Sequence, residues 1–120
     1  MLSGAEKRRR LERALEYGGR THRASDVAER LKEGKAQLWE NGDGAIITEL
    51  YHYPLRSTVS YWLVLGRLGD CLSLQSDIDA WAIKQGCTMA TAIGRRGWER
   101  AAAASGWKAH MNMYYKDLVP

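Results

Sequence analysis

The sequence predicts an α+β domain with a mixed sheet: two N-terminal helices, a three-strand antiparallel meander, and then helix, strand, helix and strand. Helical periodicity occupies the first third of the chain, and three strand-like apolar runs follow it. The second half alternates between strand and helix patterns, an order that places neighbouring strands parallel. The length of 120 residues indicates one domain, residues 1–120.

The first predicted helix covers residues 4–17, within a basic N-terminal segment of residues 1–20. The first 35 residues contain ten Lys or Arg and six Asp or Glu, whereas the remainder contains eight of each. The whole net charge of +4 therefore lies in the N-terminal third. Acids are interleaved with bases at i,i+4 spacing, as in Arg8 and Glu12, which favours a solvated helix face. The alternative is that residues 7–13 bind nucleic acid.

The second predicted helix covers residues 24–35. Val27 contributes to its apolar face. Ser25 or Asp26 can cap its first N–H groups, because a short polar side chain accepts a hydrogen bond there. Gly34 supplies the stop, since glycine adopts the positive φ that commonly ends a helix.

Three strands are predicted next, at residues 36–40, 45–53 and 58–65. The turn "NGDG" between the first two favours a hairpin, because Asn and Gly adopt positive φ readily. Pro54 ends the second strand. The third strand has β-branched and aromatic residues on both faces, as expected at a central position of the sheet.

The second half begins with a helix of roughly residues 71–85, which Asp70 caps. A short strand at 87–93 follows, then a helix at about 96–105, and then a final strand at 107–118 with alternating apolar and polar residues. Strand, helix and strand in succession predict a parallel pair.

Composition excludes several classes of function. Cys71 and Cys87 stand alone in apolar contexts, so reduced core cysteines are expected rather than a disulfide. None of His22, His52 and His110 has metal-ligand spacing from another histidine or from a cysteine, and no metal site is predicted. No apolar run is long enough to cross a membrane, and the N-terminus lacks the apolar region of a signal peptide.

The segment "LGRLGD" joins the third strand to the next helix and is a candidate phosphate-binding loop. A helix N-terminus offers free N–H groups and the positive end of its dipole. Arg67 could add a charge-assisted bond, whereas Asp70 repels an anion, and a simple connecting turn is the alternative. The candidate residues are Leu65, Gly66, Arg67, Leu68, Gly69 and Asp70.

The segment "GRRGWERAAAASGWKAH" starts with two arginines at the positive end of a predicted helix. Arg95 can pair with Glu99 at i,i+4, which is a purely structural account. The alternative is that Arg95 or Arg96, with Trp98 beside them, contacts an acidic partner or a phosphate. Trp98 and Trp107 are expected to anchor the two ends of this helix.

The chain resembles the GNAT acetyltransferase fold in its order of elements. The segments that carry the resemblance are "DVAERLKEGKAQLWENGDGAIITELYHYP", "YWLVLGRLGD", "IDAWAIKQGCTMATAIGRRGWERAAAASGWKAH" and "YYKDL". Together they are similar to the small GNAT-like proteins of tailed bacteriophages and prophages, which are usually encoded among virion structure and assembly genes. The resemblance covers nearly the whole chain from about residue 12.

The resemblance also implies site residues. In GNAT enzymes the loop after the third meander strand holds the pyrophosphate of acetyl-CoA, and here that loop is residues 65–70, although the family's glycine pattern is not met. GNAT enzymes often place a tyrosine, as general acid, four residues before the Gly of a Gly-aromatic pair. That pair is Gly106 and Trp107 here, and the tyrosine position is occupied by Ala102. Glu49 is the candidate general base for an amine substrate.

Two functions follow as expectations. The first is a catalytically degenerate GNAT-fold protein that binds other phage or virion proteins, in the virion or the host cytoplasm, with an oligomer also allowed. The alternative is an acetyl-CoA-dependent N-acetyltransferase of unknown acceptor, with acetyl-CoA as the implied cofactor and no metal.

Overall fold

The computed structural model describes residues 4–94 and 98–119. Its sheet has the strand order β1-β2-β3-β4, in which the first three strands are antiparallel and β4 is parallel to β3. The predicted α+β class, the mixed sheet and the meander are therefore confirmed. The parallel pair that forms is β3 with β4, and not the pair predicted between the strands at 87–93 and 107–118. The elements are α1 (Gly4–Tyr17), α2 (Ala24–Lys32), β1 (Gln37–Asn41), β2 (Gly44–His52), β3 (Ser57–Leu65), α3 (Leu68–Leu72), α4 (Gln75–Lys84), β4 (Met89–Ala92) and α5 (Glu99–Ala104).

The first helices form where the sequence places them, but the cap of α2 differs from the prediction. Arg23, rather than Ser25 or Asp26, is the N-cap residue. Asp26 acts from the third helical position, where its carboxylate accepts the Arg23 backbone N–H at 2.7 Å. This bond satisfies the backbone N–H of the N-cap residue, as the third-position acid of a capping box does. Gly34 follows the helix with φ +74°, as predicted.

Two apolar clusters lie on opposite faces of the sheet. Helices α1 and α2 cover one of them, whose buried members are Leu15, Val27, Ala36, Ile47 and Leu63. Helices α3 and α4 cover the other, whose buried members are Ile46, Val59, Tyr61, Cys71, Leu74, Ile78, Ala82 and Cys87. Both cysteines are free and buried, in agreement with the sequence, and burial raises the pKa of each thiol.

The helix predicted over residues 71–85 is in fact two helices, and this prediction was wrong in its start and its continuity. The backbone turns between α3 and α4 at Ser73 and Leu74. The Ser73 hydroxyl donates to the Asp70 carbonyl at 2.7 Å, a local bond that competes with helical hydrogen bonding. Burial of Leu74 in the core fixes the turn in place. The periodicity of apolar residues continues across the break, so the sequence pattern does not reveal it.

The hairpin turn between β1 and β2 packs tightly against the loop that follows β3. A Cβ added to Gly66, which has φ +85°, would lie 1.8 Å from the Asp43 carbonyl oxygen. A Cβ on Gly44 would lie 2.8 Å from the Asp70 Cβ. Glycine at these positions therefore lets two backbone segments approach each other closely.

The final strand predicted at 107–118 is not formed, and residues 107–119 have no regular secondary structure. Alternation sets which side chains share a face, but a strand also needs a neighbour to accept its backbone hydrogen bonds. The preceding helix is described only from Glu99 to Ala104, and the N-terminal part of its predicted range falls outside the described residues.

Candidate functional site

A β-bulge distorts the centre of the sheet. Ile47 of β2 pairs with Leu63 of β3, but the next residue, Thr48, pairs with Tyr61. Trp62 is therefore the extra residue on β3 and has no partner in the β2 ladder. A bulge bends its strand and increases the local twist, and such sites often lie beside active sites.

The parallel ladder between β3 and β4 stops at this bulge. It runs from the pair Thr58 and Met89 to the pair Tyr61 and Ala92, while β3 continues to Leu65. Among the residues that the structure describes, the β4 side of β3 beyond Tyr61 has no strand partner. We call the place where the two strands part, at Tyr61 and Ala92, the fork.

Tyr61 lies at the fork with its side chain toward α4. It is only 5% exposed, and its hydroxyl has no hydrogen-bond partner within the described residues. Burial, with a smaller contribution from the Asp79 carboxylate, raises the pKa of Tyr61, so the phenol stays protonated. A buried hydroxyl without a partner costs about 1–3 kcal/mol, which marks the position as one that a ligand or a water could complete.

Trp107 covers Tyr61 and connects it to the last helix. The two rings meet edge to face with centroids 5.1 Å apart, and the Trp107 indole N–H donates to Gln75 Oε1 at 3.2 Å. The Trp107 backbone N–H donates to the Ala102 carbonyl at 3.0 Å. Trp107 thus contacts both Tyr61 and Ala102, the position that the GNAT resemblance reserves for a tyrosine. The predicted anchoring role of Trp107 is observed.

Sequence reasoning missed Tyr61, because an aromatic residue on a central strand looks like ordinary core. The available signal was that a buried tyrosine hydroxyl usually requires a hydrogen-bond partner. The tertiary structure was needed to show that this hydroxyl lacks a partner among the described residues, and the strand pairing was needed to show that it lies at a fork.

Glu49, the candidate base, lies on the opposite face of the sheet among groups of its own. It is 7% exposed, its Oε2 forms an ion pair with the Arg30 guanidinium, and its Oε1 accepts the Tyr51 hydroxyl at 3.0 Å. Burial and this bond to the carboxylate raise the pKa of Tyr51. Both carboxylate oxygens are therefore engaged within the protein. The role of Glu49 as a base stays a prediction.

The bulge residue Trp62 links this cluster to the fork. The Arg30 guanidinium lies over the Trp62 ring, 5.9 Å from its centroid, and the His22 ring meets the Trp62 ring edge to face at 4.7 Å between centroids. A cation over an aromatic face is attracted by the ring quadrupole. Arg30 is thus held by Glu49 on one side and by Trp62 on the other.

Removing the charge of Glu49 should destabilise the protein. Glu49→Gln leaves the Arg30 guanidinium facing a neutral amide, and we expect a loss of roughly 1–2 kcal/mol in the free energy of unfolding, since Arg30 retains contact with solvent. Urea denaturation measures the change. Glu33→Gln is the matched control, because Glu33 pairs with Lys35 at 2.8 Å on the surface, and its unfolding midpoint should not move. Equal effects of the two changes would show that Glu49 is not a structural ion-pair partner.

The candidate phosphate loop, residues 65–70, is arranged differently from the prediction at Asp70. Arg67 is the N-cap of α3 and makes no side-chain cap bond, so Asp70 does not cap this helix. The Asp70 carboxylate instead accepts the Asp43 backbone N–H of the hairpin at 3.1 Å. The hairpin orients this side chain, and sequence alone could not show that contact. Phosphate binding by the loop stays a prediction.

The basic residues of α1 are partly engaged within the molecule. Lys7 pairs with Glu40 at 3.4 Å, and Arg8 pairs with Glu12 at 3.1 Å as the sequence predicted. Arg10 donates to the Asp43 carbonyl at 3.1 Å. Nucleic-acid binding through residues 7–13 stays a prediction.

The predicted arginine contacts precede α5. Arg95 and Arg96 lie outside the described residues, and Trp98 is half-buried just before α5. Their role as partner or anion contacts stays a prediction.

Within residues 4–94 and 98–119, no group of three or more His, Cys, Asp or Glu side chains could hold a metal ion. In the same residues no helix is both long and apolar enough to span a bilayer.

Solved structures share this architecture over nearly the whole chain. A Trypanosoma brucei acetyltransferase superposes with a TM-score of 0.69 at 11% identity, over 98% of this chain and 97% of that chain. A Thermus thermophilus protein gives a TM-score of 0.61 at 20% identity, over 98% and 95%. A GNAT family acetyltransferase of Staphylococcus aureus gives a TM-score of 0.60 at 13% identity, also over 98% and 95%. No protein-family model and no curated protein matches the sequence.

These likenesses establish the fold. The chain has the mixed α+β architecture of the GNAT acetyltransferases, as the sequence resemblance implied. At sequence identities of 20% or less, these structures support an inference about the fold but not about the substrate. They give no support to the phage origin that the sequence resemblance also implied.

Proposed function

We propose that the protein transfers an acetyl group from acetyl-CoA to an amine, with the thioester bound at the fork. The observation that carries this proposal is the coincidence of three features at one place. The β3 bulge at Trp62, the end of the β4 ladder at Ala92 and the buried, unpartnered hydroxyl of Tyr61 all meet there. The GNAT-like fold that surrounds the fork also supports acetyl transfer from acetyl-CoA.

The free edge of β3 beyond Tyr61 suits an extended ligand that carries amide groups. Strand edges bind such ligands through main-chain hydrogen bonds, and the pantetheine arm of CoA has two amides. An arm that lies along residues 62–65 would bring its thioester end to the fork.

Tyr61 has a defined task in this reaction. The amine nitrogen forms a bond to the acetyl carbon, the carbon–sulfur bond breaks, and CoA leaves as a thiolate that takes up the proton lost by the amine. Because burial raises the pKa of Tyr61, its phenol keeps its proton and donates a hydrogen bond to the sulfur as negative charge develops. This would compensate for the absence of a tyrosine at Ala102. Glu49 would act as a base in competition with its ion pair to Arg30 and its hydrogen bond from Tyr51.

Binding of acetyl-CoA, measured by calorimetry and thermal shift, tests the proposal. A ligand at a hundred times its dissociation constant stabilises a protein by about 2.7 kcal/mol. Ala92→Trp should fill the fork and abolish binding, whereas Ala80→Trp places the same side chain on the exposed face of α4 and should leave binding intact. Absence of any shift at millimolar acetyl-CoA would overturn the proposed activity.

Tyr61→Phe should separate catalysis from folding. Removing a buried hydroxyl without a partner should leave the melting temperature unchanged or raise it, because the desolvation cost disappears. Loss of a donor to the developing charge should lower kcat for acetyl transfer roughly 10- to 100-fold, with a smaller effect on acetyl-CoA affinity. The measurements are thermal denaturation and steady-state kinetics with thiol detection. A wild-type kcat in the variant would remove Tyr61 from the mechanism.

A second candidate function is a non-catalytic role in protein binding, as a phage virion or assembly component in the virion or host cytoplasm. Two features favour it: Ala102 stands in place of the acid, and the phosphate loop contains the carboxylate of Asp70, which accepts the Asp43 backbone N–H. The exposed, stacked rings of Tyr51 and Tyr53, with centroids 6.2 Å apart, would offer a surface for protein partners. Failure of the wild-type protein to bind acetyl-CoA would favour this role over the enzyme.

A further inference from the structure

We propose that the groove between α1, α2 and the β1–β2 hairpin binds a small amphipathic anion, a medium-chain fatty carboxylate. The alkyl chain of this ligand lies against the apolar walls of the groove, and its carboxylate lies at Arg10. The groove is on the sheet face that α1 and α2 cover, whereas Tyr61 of the fork packs on the opposite face. The proposal therefore does not depend on the proposed acetyl transfer.

The groove is a partly open cavity of about 380 Å³. Small-molecule sites in proteins have volumes of about 300–1,000 Å³, so this cavity suits a small ligand. Its walls are mainly apolar and include Leu11 of α1, Ala28 and Leu31 of α2, and Leu38, Ala45 and Leu65 of the sheet. Leu38 is 47% exposed although it lines the groove. A ligand with an alkyl chain removes this apolar surface from water, which favours binding.

One rim of the groove is cationic. Lys7, Arg8 and Arg10 of α1 line it. Lys7 and Arg8 each pair with a carboxylate, whereas the Nη1 of Arg10 donates to the neutral carbonyl of Asp43 at 3.1 Å. Among the described residues, no carboxylate lies within ion-pair distance of Arg10. A guanidinium has five N–H donors, so Arg10 keeps donors and an uncompensated charge for an anion in the groove.

The acidic residues of the groove favour a ligand with a single negative charge. Glu40 and Asp43 also line the groove, so a polyanion would meet like charge there. An inorganic anion would leave the apolar walls in contact with water, and a hydrocarbon would leave Arg10 without a counter-charge. A carboxylate with an alkyl chain suits both the apolar walls and the cationic rim.

An exposed ion pair joins α1 to β1 beside the groove. The Nζ of Lys7 lies 3.4 Å from the Oε2 of Glu40, and both side chains line the groove. Solvent-exposed ion pairs of this kind contribute little to stability. The pair can therefore open at little cost when a ligand enters.

Calorimetric titration of the full-length protein with decanoate, octanoate and decanol tests the class of ligand. Decanoate should bind below the concentration at which it forms micelles. Octanoate has two methylenes fewer and should bind roughly 10-fold more weakly, because each buried methylene adds to the affinity. Decanol has the same chain length without the charge and should also bind about 10-fold more weakly. No binding of decanoate at millimolar concentration, or equal affinities for decanoate and decanol, would overturn the proposal.

Arg10→Gln should weaken decanoate binding about 10-fold and leave decanol binding unchanged, because only the charged ligand uses the guanidinium. Arg10→Lys keeps the positive charge and should restore most of the affinity for decanoate. Arg13→Gln, on the same helix but outside the groove, is the matched control and should bind decanoate like the wild type. Equal affinities of Arg10→Gln and Arg13→Gln for decanoate would contradict the proposal.

Two further variants locate the ligand. Leu38→Glu charges the wall of the groove and should abolish decanoate binding. Because Leu38 is 47% exposed, the change should leave the protein folded, which thermal denaturation checks. Ala92→Trp, which fills the fork, should bind decanoate like the wild type. Binding that is lost in Ala92→Trp and kept in Leu38→Glu would place the ligand at the fork and show the proposal to be wrong.

Discussion

Gly66→Ala should destabilise the protein by about 3 kcal/mol and lower its melting temperature by roughly 10 °C or more. Two costs add at this position. The backbone of Gly66 has φ +85°, which side chains other than glycine rarely adopt, and the new Cβ would fall 1.8 Å from the Asp43 carbonyl oxygen. The clash is with backbone, so either the hairpin or the loop after β3 must move. Urea and thermal denaturation measure the loss.

Gly69→Ala, three residues further on, is the matched control. No atom lies within 4 Å of a Cβ added there, and the residue is inside α3, where alanine is the better helix former. We expect unchanged stability or a gain of up to about 1 kcal/mol. A Gly66→Ala protein as stable as the control would contradict the close packing of the hairpin on this loop.

Ile78→Ala should cost about 2–5 kcal/mol, because it empties the centre of the larger apolar cluster. Ile78 is 0% exposed and lies on α4, facing the sheet. The range depends on how far Tyr61 and Leu74, members of the same cluster, can relax into the cavity.

Ile83→Ala on the same helix provides the comparison, since Ile83 is 70% exposed. Its unfolding free energy should change by no more than about 0.5 kcal/mol. Comparable losses for the two isoleucines would mean that α4 is rotated relative to the sheet. Chemical denaturation measures both changes. The two curves are fitted with one common dependence of the unfolding free energy on denaturant concentration.

The candidate site was predictable only in part. The loop at 65–70 and Glu49 could be named because a strand–loop–helix segment and a strand carboxylate are visible in the sequence. What engages them was not visible, since Asp70 is oriented by the hairpin at Asp43 and Glu49 by Arg30 of α2. These contacts join residues 19 or more positions apart, and no local pattern records them.

The sequence by itself determined the class of fold, the first two helices, the meander and the position of the fourth strand, because each depends on local periodicity and turn residues. Only the tertiary structure decided the break between α3 and α4, the bulge at Trp62, the fork at Tyr61 and the state of residues 107–119. All four features depend on which backbone N–H and C=O groups pair with one another in the folded chain. The alternation of apolar and polar residues predicts which face of the sheet a side chain lies on. Where the hydrogen-bonded ladder begins, bulges and ends depends on the neighbouring strand.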